Sequence, residues 1–160
     1  MQRNEQAVSP VIATVLLLAI TVLLSSMVFV MMSSTLDSVE KADPKGSLSV
    51  RALSNGYHVV TFSSLDQSLN PNKVVWTIMS DTGDDRTLLS GKADDSDVYG
   101  TVGSNVSFQD RDAGWSVTKG DYFVINCEEL GCDDGNHIFQ IVDQNSNTVI
   151  SEIRLPVDVD

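Results

Sequence analysis

AVSPVIATVLLLAITVLLSSMVFVMM occupies residues 7–32 and decides how the rest of the chain is organised. No charged residue occurs between Glu5 and Asp37. A helix rises about 1.5 Å per residue, so roughly 20 apolar residues cross the hydrocarbon core of a bilayer. A single segment satisfies its backbone polar groups inside lipid only as a helix. The stretch therefore predicts a membrane-spanning helix that anchors the residues after Asp37.

The residues ahead of this helix differ from those of a secretory signal peptide. Only MQRNEQ precedes Ala7. A signal peptide has an apolar core of about 7–15 residues, followed by a small-residue cleavage site. Here the apolar run is longer, and the small residue lies in front of it. Ser9 is a predicted N-cap, and Pro10 suits the first helical turn because its missing N–H has no partner there.

The block Gln6-Ala7-Val8-Ser9-Pro10-Val11-Ile12, followed by an unbroken apolar helix, resembles the start of an archaeal type IV pilin. The resemblance covers residues 2–32. In that family a prepilin peptidase cuts a short leader before the helix, which here implies cleavage between Ala7 and Val8. The implied domains are a leader at 1–7, a transmembrane or filament-core helix with linker at 8–43, and an extracellular β-rich head at 44–160.

The resemblance also implies a function, namely a structural subunit of an archaeal type IV pilus. Such a prepilin sits in membrane lipid with its C-terminal domain outside. After cleavage, an assembly ATPase and a platform protein build it into a homo-oligomeric surface filament used for adhesion. Two alternatives remain open. One is a minor pilin-like protein, and the other is an uncleaved membrane-anchored module that binds a ligand through the loops of residues 81–115.

One departure from the bacterial pilin pattern and one feature in favour of assembly bear on how such helices would pack. Ile12 is the fifth residue counted from Val8, where bacterial pilins carry a glutamate, so packing would have to set the register between subunits. Small polar residues, which let helices approach closely in an apolar medium, recur along the segment. They are Thr14, Thr21, Ser25, Ser26, Ser33 and Ser34.

Length and charge bound the remaining possibilities. The chain has 160 residues, which leaves about 115 for one domain after the helix. It carries 22 Asp and Glu against 10 Lys and Arg, for a net charge of −12. This balance argues against nucleic acid as a partner and against docking on anionic lipid. Arg3 and the amino terminus weakly favour an N-terminus inside the cell.

From Leu48 onward, short β-branched and aromatic runs alternate with turn signals. Together with the helix, this pattern predicts an α+β chain, with an antiparallel β-sandwich or small β-barrel head. Asn55-Gly56 is a predicted hairpin turn with both residues at positive φ. The predicted strands are 47–53, 57–62, 73–79, 86–91, 105–108, 115–117, 121–127, 137–143 and 148–155, with a loop over 94–104. The predicted core is Leu48, Val50, Val59, Trp76, Ile78, Phe123, Ile125, Phe139, Ile141, Val149 and Ile153.

Cys127 and Cys132 are the two cysteines of the chain. Outside the cell they would form a disulfide that closes a short loop, with a modest entropic benefit. The alternatives are free thiols or metal-binding thiolates. Zinc usually takes four ligands, and only His58 and His137 could add nitrogen. Neither histidine lies in a motif, so the sequence predicts both at the surface or on an edge strand.

Asn105-Val106-Ser107 is an N-glycosylation sequon, so the sequence predicts Asn105 as a modified residue, with an unmodified side chain as the alternative. Tyr99 and Trp115 lie near loops, where they are available to a partner.

No GxSxG, HExxH or phosphate-loop motif occurs, so we expect no enzyme, cofactor or metal. Four acidic groups are predicted to lie in solvated loops, and calcium binding is the less favoured alternative. They are Asp84-Asp85, Asp94-Asp95-Ser96-Asp97, Asp110 with Asp112, and Asp133-Asp134.

Overall fold

The computed structural model describes residues 9–37, 42–82 and 87–157. The chain divides into two compact units, Met1–Ala42 and Asp43–Asp160. The first unit contains helix α1, Ser9–Asp37, which is 29 residues or about 44 Å long. Within the described residues, Ser9–Ser34 is the one helical stretch that is long and apolar enough to cross a membrane, judged by length and composition.

The second unit, the head, is built from two antiparallel four-stranded sheets. Their strand orders are β1-β2-β6-β5 and β4-β3-β7-β8. Two sheets make a sandwich rather than a closed barrel, and the predicted α+β class is confirmed. The strands are β1 Gly46–Ala52, β2 Tyr57–Leu65, β3 Val74–Ser80, β4 Thr87–Lys92, β5 Val106–Gln109, β6 Tyr122–Asn126, β7 His137–Asp143 and β8 Thr148–Arg154. A 3₁₀ turn, Pro71–Lys73, precedes β3, and a short helix α2, Cys127–Leu130, follows β6.

The core lies between the two sheets and follows the two-residue period of the strands. Burial alternates along β3 and β7. The rings of Phe123 on β6 and Phe139 on β7 join the sheets, with centroids 5.3 Å apart. Six predicted core residues are buried, and three more pack against them while partly buried. The first group is Trp76, Ile78, Phe123, Ile125, Phe139 and Ile141, and the second is Leu48, Val50 and Ile153.

For two residues, Val59 and Val149, the predicted core position is wrong. On β2, His58 and Val60 are fully buried, and Val59 between them lies on the other face. On β8, Ile150 is buried whereas Val149 is 50% exposed. The register between β7 and β8 shifts between Ile141 and Val142, beside the residue that pairs with Val149. A one-residue change of phase moves a side chain to the opposite face, which explains both errors.

Three local predictions are also corrected. Residues 115–117 form no strand, and Val117 makes only an isolated bridge to Leu69. Cys127 begins α2 instead of extending β6, because the Asn126 side chain caps the helix. At the first hairpin, Gly56 alone takes positive φ, at 76°, and Asn55 does not.

Candidate functional site

Helix α1 presents an apolar surface in every direction around its axis. Its large apolar side chains are 45% to 72% exposed, from Ile20 to Phe29. A helix that is apolar on all sides is normally buried in a core or in a membrane. This surface is therefore the main candidate site in the described part of the chain. Lipid or other helices are the neighbours that would cover it.

The small polar side chains of α1 do not interrupt this surface. Each of five hydroxyls donates to a backbone carbonyl three or four residues earlier, at 2.7–2.9 Å. Their donors are thereby satisfied within the helix, which removes the penalty for placing them in an apolar medium. The pairs, hydroxyl first, are Thr14–Val11, Thr21–Leu18, Ser25–Thr21, Ser26–Leu23 and Ser34–Met31.

The predicted cleavage residues Ala7 and Val8 lie outside the described residues. The described helix begins immediately after them, at Ser9, with Pro10 in its first turn. Proline is tolerated there because its missing N–H would have had no helical partner.

The predicted disulfide is present between Cys127 and Cys132, with both cysteines fully buried and Cα atoms 4.6 Å apart. Gly56 holds the start of α2 in place. Its carbonyl accepts hydrogen bonds from the N–H groups of Cys127 and Glu128, at 3.0 and 3.2 Å. A Cβ at Gly56 would lie 2.6 Å from the Cβ of Glu128, so this close approach requires glycine. The free-thiol and metal-thiolate alternatives are excluded for this pair.

Both histidines are buried, so their predicted surface positions are wrong. His58 is fully buried on β2, a central strand, and its Nε2 lies 2.8 Å from the carbonyl oxygen of Pro156. His137 is 8% exposed, and its Nδ1 lies 2.8 Å from Oδ1 of Asp134. Hydrogen bonds to the Asn136 amide and to His137 lower the pKa of Asp134. Each ring thus has one nitrogen within hydrogen-bond distance of a polar partner that the fold brings close.

The sequon at Asn105 lies at the beginning of strand β5. The carbonyl of Asn105 accepts a hydrogen bond from the Asn126 N–H at 2.8 Å. Ser107, the hydroxyl residue of the sequon, is only 4% exposed. Its Oγ accepts a 2.6 Å hydrogen bond from Nε2 of Gln109. In the folded head, the sequon hydroxyl is therefore already engaged.

The predicted acidic groups lie in separate turns of the head. Asp95 accepts the Lys92 N–H at 2.9 Å, and Asp134 accepts the Asn136 N–H at the same distance. Residues 84–85 lie outside the described chain. Over the described ranges, no three His, Cys, Asp or Glu side chains are arranged to hold a metal ion.

One loop, residues 110–118, brings together residues that the sequence did not connect. Asp121 is fully buried and binds both ends of this loop. Its Oδ1 accepts the Arg111 N–H at 3.0 Å, and its Oδ2 accepts the Thr118 N–H at 2.7 Å. Burial raises the pKa of Asp121, and these hydrogen bonds oppose the shift. Asp121 was missed because a lone aspartate after a Lys-Gly turn carries no signal of burial.

The same loop places Trp115 against Tyr99. Their ring centroids are 4.4 Å apart, and Trp115 is 56% exposed. The Tyr99 hydroxyl donates a 2.6 Å hydrogen bond to Oδ2 of Asp110. Of the residues predicted to be available to a partner, Trp115 is exposed and Tyr99 is half-buried beneath it.

Comparison with known proteins concerns the N-terminal unit. The family model described as archaeal type IV pilin, N-terminal, matches residues 6–48. The match spans the predicted cleavage residues, the whole of α1 and the first residues of β1. No curated protein matches the chain. The resemblance seen in the sequence is thus confirmed: residues 6–48 match the N-terminal domain of archaeal type IV pilins.

Proposed function

We propose that this protein is a structural subunit of an archaeal type IV pilus. Its prepilin is held in the membrane by α1, with the C-terminal head outside. Prepilin peptidase cuts between Ala7 and Val8, and the assembly ATPase and platform protein then build the mature chains into an adhesive surface filament. The observation that carries this proposal is the exposed apolar surface of α1, within a segment that matches the pilin N-terminal domain.

The physical properties of α1 suit two environments in turn. Before assembly, lipid covers the apolar side chains and the intrahelical bonds satisfy the hydroxyls. In a filament surrounded by water, the same side chains are shielded only by other copies of the helix. Burying one Leu or Val side chain is worth about 1.5–3 kcal/mol, so repeated helix–helix contacts can hold the filament without covalent links.

The head suits a position outside the cell. Its disulfide is of the kind that persists in an oxidising compartment. The excess of acidic residues keeps such a domain soluble. A second role, ligand binding by a tethered head, is favoured by one observation, the exposed Trp115 stacked on Tyr99.

Asn105 is a proposed glycosylation site, and its modification would have to precede the folding of β5 into the sheet. Because Ser107 is buried and bound to Gln109, the sequon is accessible to a glycosyltransferase before β5 joins the sheet. Intact-mass measurement of surface protein, compared with Asn105→Gln, tests the modification. We expect a glycan mass that the variant lacks, and an unmodified wild-type mass would contradict this assignment.

A charged substitution in α1 tests the assembly function. We expect Val15→Asp or Leu18→Asp to abolish filaments, because a buried carboxylate without a partner costs several kcal/mol. Val102→Asp is the matched control, since Val102 is 96% exposed in the head. Membrane fractionation and the Cys127–Cys132 disulfide establish that each variant is inserted and folded.

The readout is the amount of the protein in filaments sheared from cells and seen by electron microscopy. Normal filaments from an inserted and folded α1 variant would contradict helix-mediated assembly. Abundance in wild-type filaments separates a major subunit from a minor pilin-like protein that primes, caps or tethers.

A further inference from the structure

The 110–118 loop holds an exposed aromatic surface in a fixed position. Asp121 binds its two ends, as described above, and the Asp112 carboxylate also accepts a hydrogen bond from the Thr118 hydroxyl. Trp115 lies between these attachment points. A large aromatic side chain kept in solvent by a hydrogen-bonded loop is available for binding without an entropic cost of ordering the loop.

The aromatic surface rests on the core of the head. Beneath Trp115, the Tyr99 ring contacts the fully buried Phe108, with centroids 5.6 Å apart. Phe108 in turn contacts Phe123, at 4.9 Å. Trp115 and Tyr99 are therefore supported from below, and Trp115 leaves more than half of its surface open to solvent.

Two carboxylates lie close to this surface. Asp110 is bonded to the Tyr99 hydroxyl, and Asp121 lies behind the same loop. The structure shows two ion pairs among the described residues, and neither involves these carboxylates. Burial, the hydrogen bond to Asp110 and the charges of Asp110 and Asp121 raise the pKa of Tyr99 to about 12.

Each oxygen of the Asp110 and Asp121 carboxylates already accepts at least one hydrogen bond. Oδ1 of Asp110 accepts the Asp112 N–H at 3.0 Å, and Oδ2 accepts the Tyr99 hydroxyl. Both oxygens of Asp121 are also engaged. A sugar, a primary ammonium or a guanidinium would have to share carboxylate oxygens that already accept a hydrogen bond. A quaternary ammonium has no N–H group, and it gains from the aromatic face and the nearby Asp110 carboxylate without new hydrogen bonds.

We propose that the exposed aromatic surface of Trp115 and Tyr99 binds a quaternary ammonium cation. Trp115 supplies the face over which the cation lies, Tyr99 supports that face, and Asp110 provides the neighbouring negative charge. This binding site lies in the head, outside the residues that match the pilin domain, and does not depend on filament assembly.

Choline is the probe, with the full chain in a maltoside detergent that carries no ammonium group. The indole N–H resonances of Trp115 and the buried Trp76 are followed by NMR. We expect saturable shifts at Trp115 and none at Trp76. The neutral isostere 3,3-dimethylbutan-1-ol, equal in shape but uncharged, should bind about two- to fivefold more weakly, which corresponds to a cation–π contact at an exposed site.

Two variants complete the test, each checked for folding by an unchanged Trp76 resonance. In Trp115→Ala, followed through the backbone amides of the loop, the choline affinity should fall at least tenfold. Asp110→Asn should weaken choline binding and leave the isostere unchanged. Equal affinities for choline and the isostere, the absence of saturable shifts, or unchanged choline binding by Trp115→Ala would each overturn the proposal.

Discussion

The Nε2 atom of His58 lies 2.8 Å from the carbonyl oxygen of Pro156. This contact joins β2 of one sheet to the segment that follows β8 of the other. Because a carbonyl only accepts hydrogen bonds, Nε2 carries a proton. Nδ1 is buried and has no hydrogen-bond partner in the described chain. His58 thus contributes one inter-sheet bond and one unsatisfied buried atom.

This arrangement predicts different effects for two substitutions. His58→Ala loses the bond and leaves a cavity, so we expect it to lower the free energy of unfolding by about 2–4 kcal/mol. His58→Leu fills most of the volume and removes the unsatisfied Nδ1, so its cost should be about 1 kcal/mol. Urea unfolding of the full chain in detergent, followed by tryptophan fluorescence, measures both. A larger loss for leucine than for alanine would contradict this assignment.

Tyr99 is predicted to titrate at high pH. Its pKa is raised from 10.0 to about 12, first by burial and then by the hydrogen bond and charge of Asp110. The unfolded chain releases this proton near pH 10 while the folded head retains it. This group therefore leaves stability unaffected below pH 10 and lowers it as pH rises towards 12.

Ultraviolet absorbance of tyrosinate checks this prediction in a Tyr57→Phe, Tyr122→Phe variant, which leaves Tyr99 as the sole tyrosine. Adding Asp110→Asn should lower the pKa of Tyr99, since it removes the nearby charge, without returning it to 10.0. An unchanged pKa after that substitution would show that burial alone causes the shift.

Loss of the Cys127–Cys132 disulfide should destabilise the head modestly. The closed loop is short, with a sequence separation of 5, so chain entropy predicts a cost of about 2 kcal/mol. The paired Cys127→Ser, Cys132→Ser variant should show this loss in urea unfolding. Its control is the wild type in reducing agent, which should show a similar loss. A cost near zero in both would mean that the α2 backbone bonds to Gly56 hold this turn without the disulfide.

The sequence predicted much of the fold because its signals are local. Uninterrupted apolar residues identified α1, and alternating residues on β3 and β7 identified strands and their buried faces. The prediction that Val59 and Val149 lie in the core was wrong because the buried face of a strand is not set locally. Both are β-branched residues in genuine strands, and only the pairing register decides which face they occupy.

The site in the head could be predicted only in fragments. Tyr99 and Trp115 were predicted to be aromatic residues available to a partner. The loop that places Trp115 against Tyr99 is bound by Asp121, whose carboxylate accepts the N–H of Arg111, ten residues earlier in the chain. His58 was placed at the surface because its partner, Pro156, is separated by 98 residues. Contacts of this range leave no pattern in one sequence.

The amino terminus of the protein recovered from cells tests the pilin function most directly. Mass spectrometry of the N-terminal peptide is sufficient, with a strain lacking prepilin peptidase as the control. Processing between Ala7 and Val8 predicts a wild-type protein that begins at Val8 and a control protein that keeps its leader. A wild-type chain that keeps Met1, or loses only that methionine, would contradict leader cleavage and favour an uncleaved, membrane-tethered β-sandwich.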